Sequence, residues 1–116
     1  MKESEIQTKI TEALIRMPDI AFYTINSTGK VRSRAGRITI GKWFSREIKS
    51  HDGLSDITGM KIDGTFFAIE VKQPGKEPTE DQWNFIHYVK DHNGLAGYAT
   101  NVEDAEFILR GYEIKI

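Results

Sequence analysis

The chain contains no cysteine, which removes a disulfide framework, a thiolate zinc site and a cysteine nucleophile together. Long apolar runs are missing too. Nothing approaches the ~20 residues that cross a bilayer, and the N-terminal MKESEIQ lacks the features of a secretory signal. These absences predict no membrane partner and are compatible with a reducing cytoplasm. Internal repeats and low-complexity tracts are also absent. A net charge of −1 over 116 residues does not by itself announce a polyanion binder. The length predicts one domain spanning 1–116, large enough for a core and small enough to favour partners or an oligomer.

Charge is unevenly placed. Residues 30–49 hold Lys30, Arg32, Arg34, Arg37, Lys42, Arg46 and Lys49 against the single acid Glu47, a local balance of +6 that leaves −7 on the rest. A basic segment on an acidic body suits a polyanion-binding edge, with Lys30, Arg32, Arg34, Arg37, Lys42 and Arg46 as its nucleic-acid contacts. The alternative is a solvated surface loop.

The most informative stretch is Gly53 to Lys72, GLSDITGMKIDGTFFAIEVK. Two apolar runs flank Asp63-Gly64 and read as a β-hairpin. A two-residue loop would place Asp56 opposite Val71. A three-residue loop ending at Gly64, with Gly64 left-handed in a G1 bulge, pairs Lys61 with Thr65 and Met60 with Phe66. Ile57 then meets Ile69, and Asp56 meets Glu70. Only this second register aligns both the apolar residues and the carboxylates. Glu70 and Lys72, two residues apart, share a face.

The rest of the chain predicts a mixed α/β fold. Residues 3–17 read as an amphipathic helix with Ile6, Ile10, Ala13, Leu14 and Met17 inward, ended by Pro18. Glu3 lies three residues before Ile6 and so near the inward face. It is the better helix acid to join the hairpin carboxylates, with Glu5 second; a first-turn glutamate favoured by the helix dipole is the competing reading. Ile20–Asn26 reads as a strand, 27–36 as a basic turn, and Arg37–Phe44 as a short strand or ordered loop. Trp43 and Phe44 read as anchors of the basic segment. The alternative is a stacking platform for an unpaired base. Thr79 and Gln82 form a capping box that opens a helix to about His92, closed by Asn93-Gly94. A strand at Leu95–Thr100 follows, parallel to the second hairpin strand. Asn101 caps a last helix ending at Gly111, and Tyr112–Ile116 reads as a short final strand. The order is α-β-(β)-β-β-α-β-α.

Two carboxylates and an ammonium on one hairpin suit a divalent cation beside a phosphate. Asp56 and Glu70 supply two metal ligands and the Val71 carbonyl a third. Lys72 can orient the attacking water or stabilise charge developing on the phosphate. His51, His87 and His92 show no metal-ligand spacing, and Ser55 has no histidine partner for hydrolase chemistry. Alone, E-x-K is a weak pattern. Fourteen residues after G-x-S-D, across a hairpin and before a capped helix, it is much more specific.

In that arrangement the chain resembles the PD-(D/E)XK nuclease superfamily, and within it the virus-type replication-repair nuclease (VRR-NUC) branch. The matching residues are Glu3 in ESEIQ, Gly53-Leu54-Ser55-Asp56, Ala68-Ile69-Glu70-Val71-Lys72 and Gln82 in TEDQW. Ser55 stands where the family name has proline. The resemblance implies a restriction-endonuclease-like mixed central sheet flanked by helices. It implies a Mg²⁺- or Mn²⁺-dependent DNA endonuclease with Asp56 and Glu70 on metal, Lys72 catalytic, and Glu3 and Gln82 assisting. Small stand-alone members resemble Holliday junction resolvases. The expectation is a structure-specific homodimer acting on branched DNA, a four-way junction or flap, in a bacterial or phage-infected cell. A non-catalytic nucleic-acid-binding module on the same fold is the alternative.

Overall fold

The computed structural model describes residues 1–26, 31–32, 38–39, 42–46 and 51–111. Helix α1 spans Glu3–Leu14. Strand β1 is Ile20–Ile25, and β2 (Val31–Arg32) and β3 (Ile38–Thr39) form a separate two-stranded ladder. The hairpin strands are β4 (Ile57–Lys61) and β5 (Phe66–Val71). Helix α2 (Glu80–Asp91), strand β6 (Leu95–Ala99) and helix α3 (Val102–Leu109) complete the order. The result is a mixed α/β architecture: one four-stranded sheet in the order β1-β4-β5-β6, with three helices. The β1/β4 and β4/β5 pairs are antiparallel and β5/β6 is parallel. None of the described helices is long and apolar enough to cross a membrane.

The hairpin takes the expected register. Ile57 pairs with Ile69, Thr58 with Ala68, Gly59 with Phe67 and Met60 with Phe66. Gly64 is left-handed at φ +89°. Its N–H donates to the Lys61 carbonyl at 2.9 Å, and the Lys61 N–H donates to Thr65 at 2.9 Å. Those bonds close the three-residue loop, and only glycine takes that φ without strain. Asp63 caps the turn by accepting from the Thr65 N–H at 2.9 Å.

Alternation along β5 feeds two cores. Phe67, Ile69 and Val71 point to the face covered by α1 and α3, where Ile6, Ile10, Leu14, Ile57, Ala105 and Leu109 are also buried. Ala68 points the other way, to Phe85 and Val89 of α2, with Trp43 and Leu54 against them. Helix α2 covers the β5–β6 half of that second face. Among the described residues no helix packs on the β1–β4 half of that face, where Phe22 is 52% exposed.

Three expectations change in detail. Helix α1 stops at Leu14, short of Met17. Pro18 disfavours helix in the preceding residue, and the chain leaves through i→i+3 bonds, Arg16 to Ala13 and Met17 to Leu14. Strand β3 falls in the segment read as a short strand or ordered loop, whereas β2 falls in the segment read as a basic turn; both are too short to be seen by periodicity. The expected strand at 112–116 lies outside the described residues.

Candidate metal centre

Asp56 is the residue just before β4, and Glu70 is the penultimate residue of β5. One step beyond the Ile57–Ile69 pair, the register sets them opposite each other on the α2 face. Each carboxylate is held by one oxygen. Asp56 Oδ2 accepts from the Val71 N–H at 2.8 Å. Glu70 Oε1 accepts from Gln82 Nε2 at 2.9 Å. Glu70 is 3% exposed, yet its Oε2 is buried without a hydrogen-bond partner.

That orphan oxygen is costly, because a buried carboxylate needs donors or a cation to replace water. Burial is the largest cause raising the Glu70 carboxyl from its ordinary 4.5 to about 9, followed by the negative Asp56 carboxylate beside it. Attraction to Lys72 and to the Asp56 N–H opposes this less strongly. Without a cation, the pair therefore keeps a proton at neutral pH. A divalent cation supplies the same neutralisation with stronger bonds, so the donor set fits Mg²⁺ or Mn²⁺. The Val71 carbonyl adds a third oxygen. In an extended strand a residue's N–H and C=O point the same way, and the Val71 N–H points to Asp56.

Helix α2 reaches the site through two backbone features. Thr79 Oγ1 accepts from the Gln82 N–H at 3.3 Å, and Gln82 Oε1 accepts from the Thr79 N–H at 2.9 Å. The amide oxygen of Gln82 thus completes the capping box while its nitrogen holds Glu70. Gln82 is the helix-cap partner expected from its spacing to Thr79, and it also contacts Glu70. Gly53 supplies the second feature. A Cβ there would lie 2.4 Å from the Asp81 backbone, and its φ is +92°. The glycine of G-x-S-D lets the first turn of α2 sit against the loop that carries Asp56.

Lys72 follows β5, half-buried, on the same face as Glu70. Its N–H donates to Ala99 at 3.0 Å and extends the parallel pairing. Glu3 is exposed, and among the described residues no third acid joins Asp56 and Glu70. The inward position expected for Glu3 is not observed: α1 packs on the Ile69 and Val71 face, opposite to Glu70. Glu5 is exposed as well.

Of the basic residues, Lys42 lies 3.3 Å from Asp52 and Arg46 is exposed. Arg32 belongs to β2, while Lys30, Arg34 and Arg37 lie outside the described residues. Trp43 is an anchor as expected. It stacks on His51 at 3.9 Å, meets Phe85 edge-on at 5.0 Å, and donates from Nε1 to the Asp52 carbonyl at 3.0 Å. Phe44 is no anchor; it is 70% exposed.

Asn26 is a contributor that the sequence did not reveal. Its N–H donates to the Asp56 carbonyl at 2.7 Å, and its Nδ2 donates to the Ser55 carbonyl at 2.9 Å and to Thr58 Oγ1 at 3.1 Å. Asn26 thereby holds the backbone carbonyls on both sides of the Asp56 Cα from the edge strand. Only the β1/β4 register could have located it. Ser55 is fully buried and its hydroxyl has no hydrogen-bond partner.

Comparison with family models, with curated proteins and with solved structures finds no match to this chain.

Proposed function

We propose that this chain is a divalent-metal-dependent DNA endonuclease with a restriction-endonuclease-like fold, acting as a twofold dimer on branched DNA such as a four-way junction. The observation that carries the reading is the Asp56–Glu70 pair. Its two carboxylates lie on facing strands, one oxygen of each fixed by a protein donor, and Glu70 Oε2 buried with no partner. Held as a purely structural pair, the two carboxyls have to share a proton at neutral pH.

In this reading Asp56, Glu70 and the Val71 carbonyl hold the cation, which supplies charge neutralisation at the phosphate and an acidified water. Gln82 fixes the Glu70 rotamer, and the Val71 N–H fixes that of Asp56. Lys72 offers an ammonium on the same face. It makes no ion pair within 4.0 Å to another described residue, so it can meet a phosphate oxygen or position the attacking water. The basic stretch 30–49 tracks the DNA backbone. Two sites related by a twofold axis suit opposed strands of a junction.

The test is cleavage of a labelled four-way junction beside a linear duplex and a splayed-arm substrate, in Mg²⁺, Mn²⁺ and EDTA. Metal-dependent symmetric nicking of the junction, abolished in Asp56→Asn and Lys72→Ala, is the expected result. Binding without cutting in every metal overturns the enzymatic reading.

A further inference from the structure

We propose that an aromatic hollow beside the metal centre receives one unpaired nucleobase of the DNA, an inference that rests on the nuclease reading above. The hollow has a volume of about 420 Å³ and is walled by Trp43, Phe44, Leu54, Phe66, Tyr88 and His92, among others. Its floor is Trp43, which contacts His51, Phe85 and Tyr88 and donates to the Asp52 carbonyl. One wall is a second flat surface, the Tyr88 ring stacked on His92 at 4.2 Å. Phe44, next to Trp43, stands at the rim with most of its ring in solvent.

Three observations select the occupant. First, the walls are aromatic: Trp43 and Tyr88 meet at 5.0 Å, and the exposed Phe44 ring beside them is a surface a base can stack on in any sequence context. A base inside a duplex has both faces covered by its neighbours, so only an unpaired base can enter. Second, the charge is complementary to a phosphate chain. Trp43 and Phe44 lie between Lys42 and Arg46, inside the stretch of net charge +6. Lys42 is engaged by Asp52, whereas Arg46 makes no ion pair with another described residue. An apolar peptide would have no use for those cations.

Third, the hollow lies at a fitting distance from the chemistry. Phe66 is on the same face of β5 as Glu70, four residues away, which is about 13 Å at the rise of a strand. Leu54 is two residues before Asp56. A strand whose phosphate sits at Asp56 and Glu70 would therefore reach the hollow within a few nucleotides. A base held there would make unpaired DNA next to the cleavage point part of what the protein selects.

The experiment measures binding of a fluorescently labelled splayed-arm substrate to the full-length chain in EDTA, so that nothing is cut. Single abasic sites are moved one nucleotide at a time through the unpaired arm, against the unsubstituted chain and Phe44→Ala. Phe44 is exposed, so its truncation leaves the fold intact; circular dichroism checks this. At one arm position the abasic site should weaken binding about tenfold, near the lower end of what one base–aromatic stack contributes. Phe44→Ala should weaken it to a similar degree, and the abasic site should cost Phe44→Ala little more. Linear duplex binding should not change.

Losses that simply multiply at every position, or an equal loss on the duplex, overturn the proposal. Coupling between base and Phe44 without cleavage in Mn²⁺ would uphold the hollow and refute the nuclease. Cleavage without any such coupling would do the reverse.

Discussion

Replacing Glu70 by glutamine should stabilise the metal-free protein at neutral pH, although it removes a proposed metal ligand. In the fold the Glu70 carboxyl keeps its proton to about pH 9, against an ordinary value of 4.5. A raised folded-state value means that the group's favourable contribution is fully present below pH 4.5 and is lost as pH rises towards 9. By pH 7 the unfolded chain has released a proton that the fold retains. At about 1.4 kcal/mol for each pH unit above 4.5, this costs the fold about 3 kcal/mol. Glutamine does not titrate. Its oxygen can still accept from Gln82, and its amide can donate to Asp56 at any pH, as the Glu70 carboxyl can only while it keeps its proton.

Thermal and urea unfolding in EDTA between pH 5 and 9 would measure the effect. The variant should gain progressively on the wild type above pH 5, by on the order of 10 °C at pH 7 for a domain of this size. Adding Mn²⁺ should reverse the order, because the cation binds only the wild-type carboxylate pair. A difference between the two proteins that stays flat from pH 5 to pH 8 would refute the reasoning.

Other perturbations separate the supports of the site. Gly53→Ala puts a methyl group 2.4 Å from the Asp81 backbone at φ +92°; it should destabilise the protein by about 1–3 kcal/mol and weaken Mn²⁺ binding, read by urea unfolding and calorimetry. Gln82→Ala removes a helix-cap partner and the Glu70 donor together. It should cost about 1 kcal/mol through the cap alone, whereas Gln82→Glu should keep the cap acceptor and lose only the donor to Glu70 Oε1, so that urea unfolding of the two variants separates the cap from the Glu70 contact. Asn26→Ala frees the Ser55 carbonyl and Thr58 from their shared donor. It should weaken Mn²⁺ affinity about tenfold, and unchanged affinity would remove Asn26 from the site.

The parts of the fold that local chemistry dictates were legible in the sequence. Gly64 and the apolar alternation set the hairpin register, and that register set Asp56 against Glu70. The Thr79–Gln82 spacing fixed the start of α2. What escaped depends on tertiary placement. The turn of α1 about its axis leaves Glu3 exposed, and spacing from Ile6 does not determine it. The clamp of Asn26 depends on how β1 slides along β4, where a register shift between Ile20 and Phe22 intervenes. The basic stretch was legible as charge but not as structure, since its two paired strands have only two residues each. Trp43 and Phe44 looked alike as neighbours, yet one is pinned by ring contacts and the other faces solvent.

The most direct test of the Asp56–Glu70 centre is calorimetric titration of Mn²⁺ at pH 7 in two buffers of different ionisation enthalpy. The account predicts binding that releases about one proton, because the cation displaces the proton the pair retains, and both binding and release should vanish in Asp56→Asn. Absence of Mn²⁺ binding, or binding with no proton release that persists in Asp56→Asn, would contradict it.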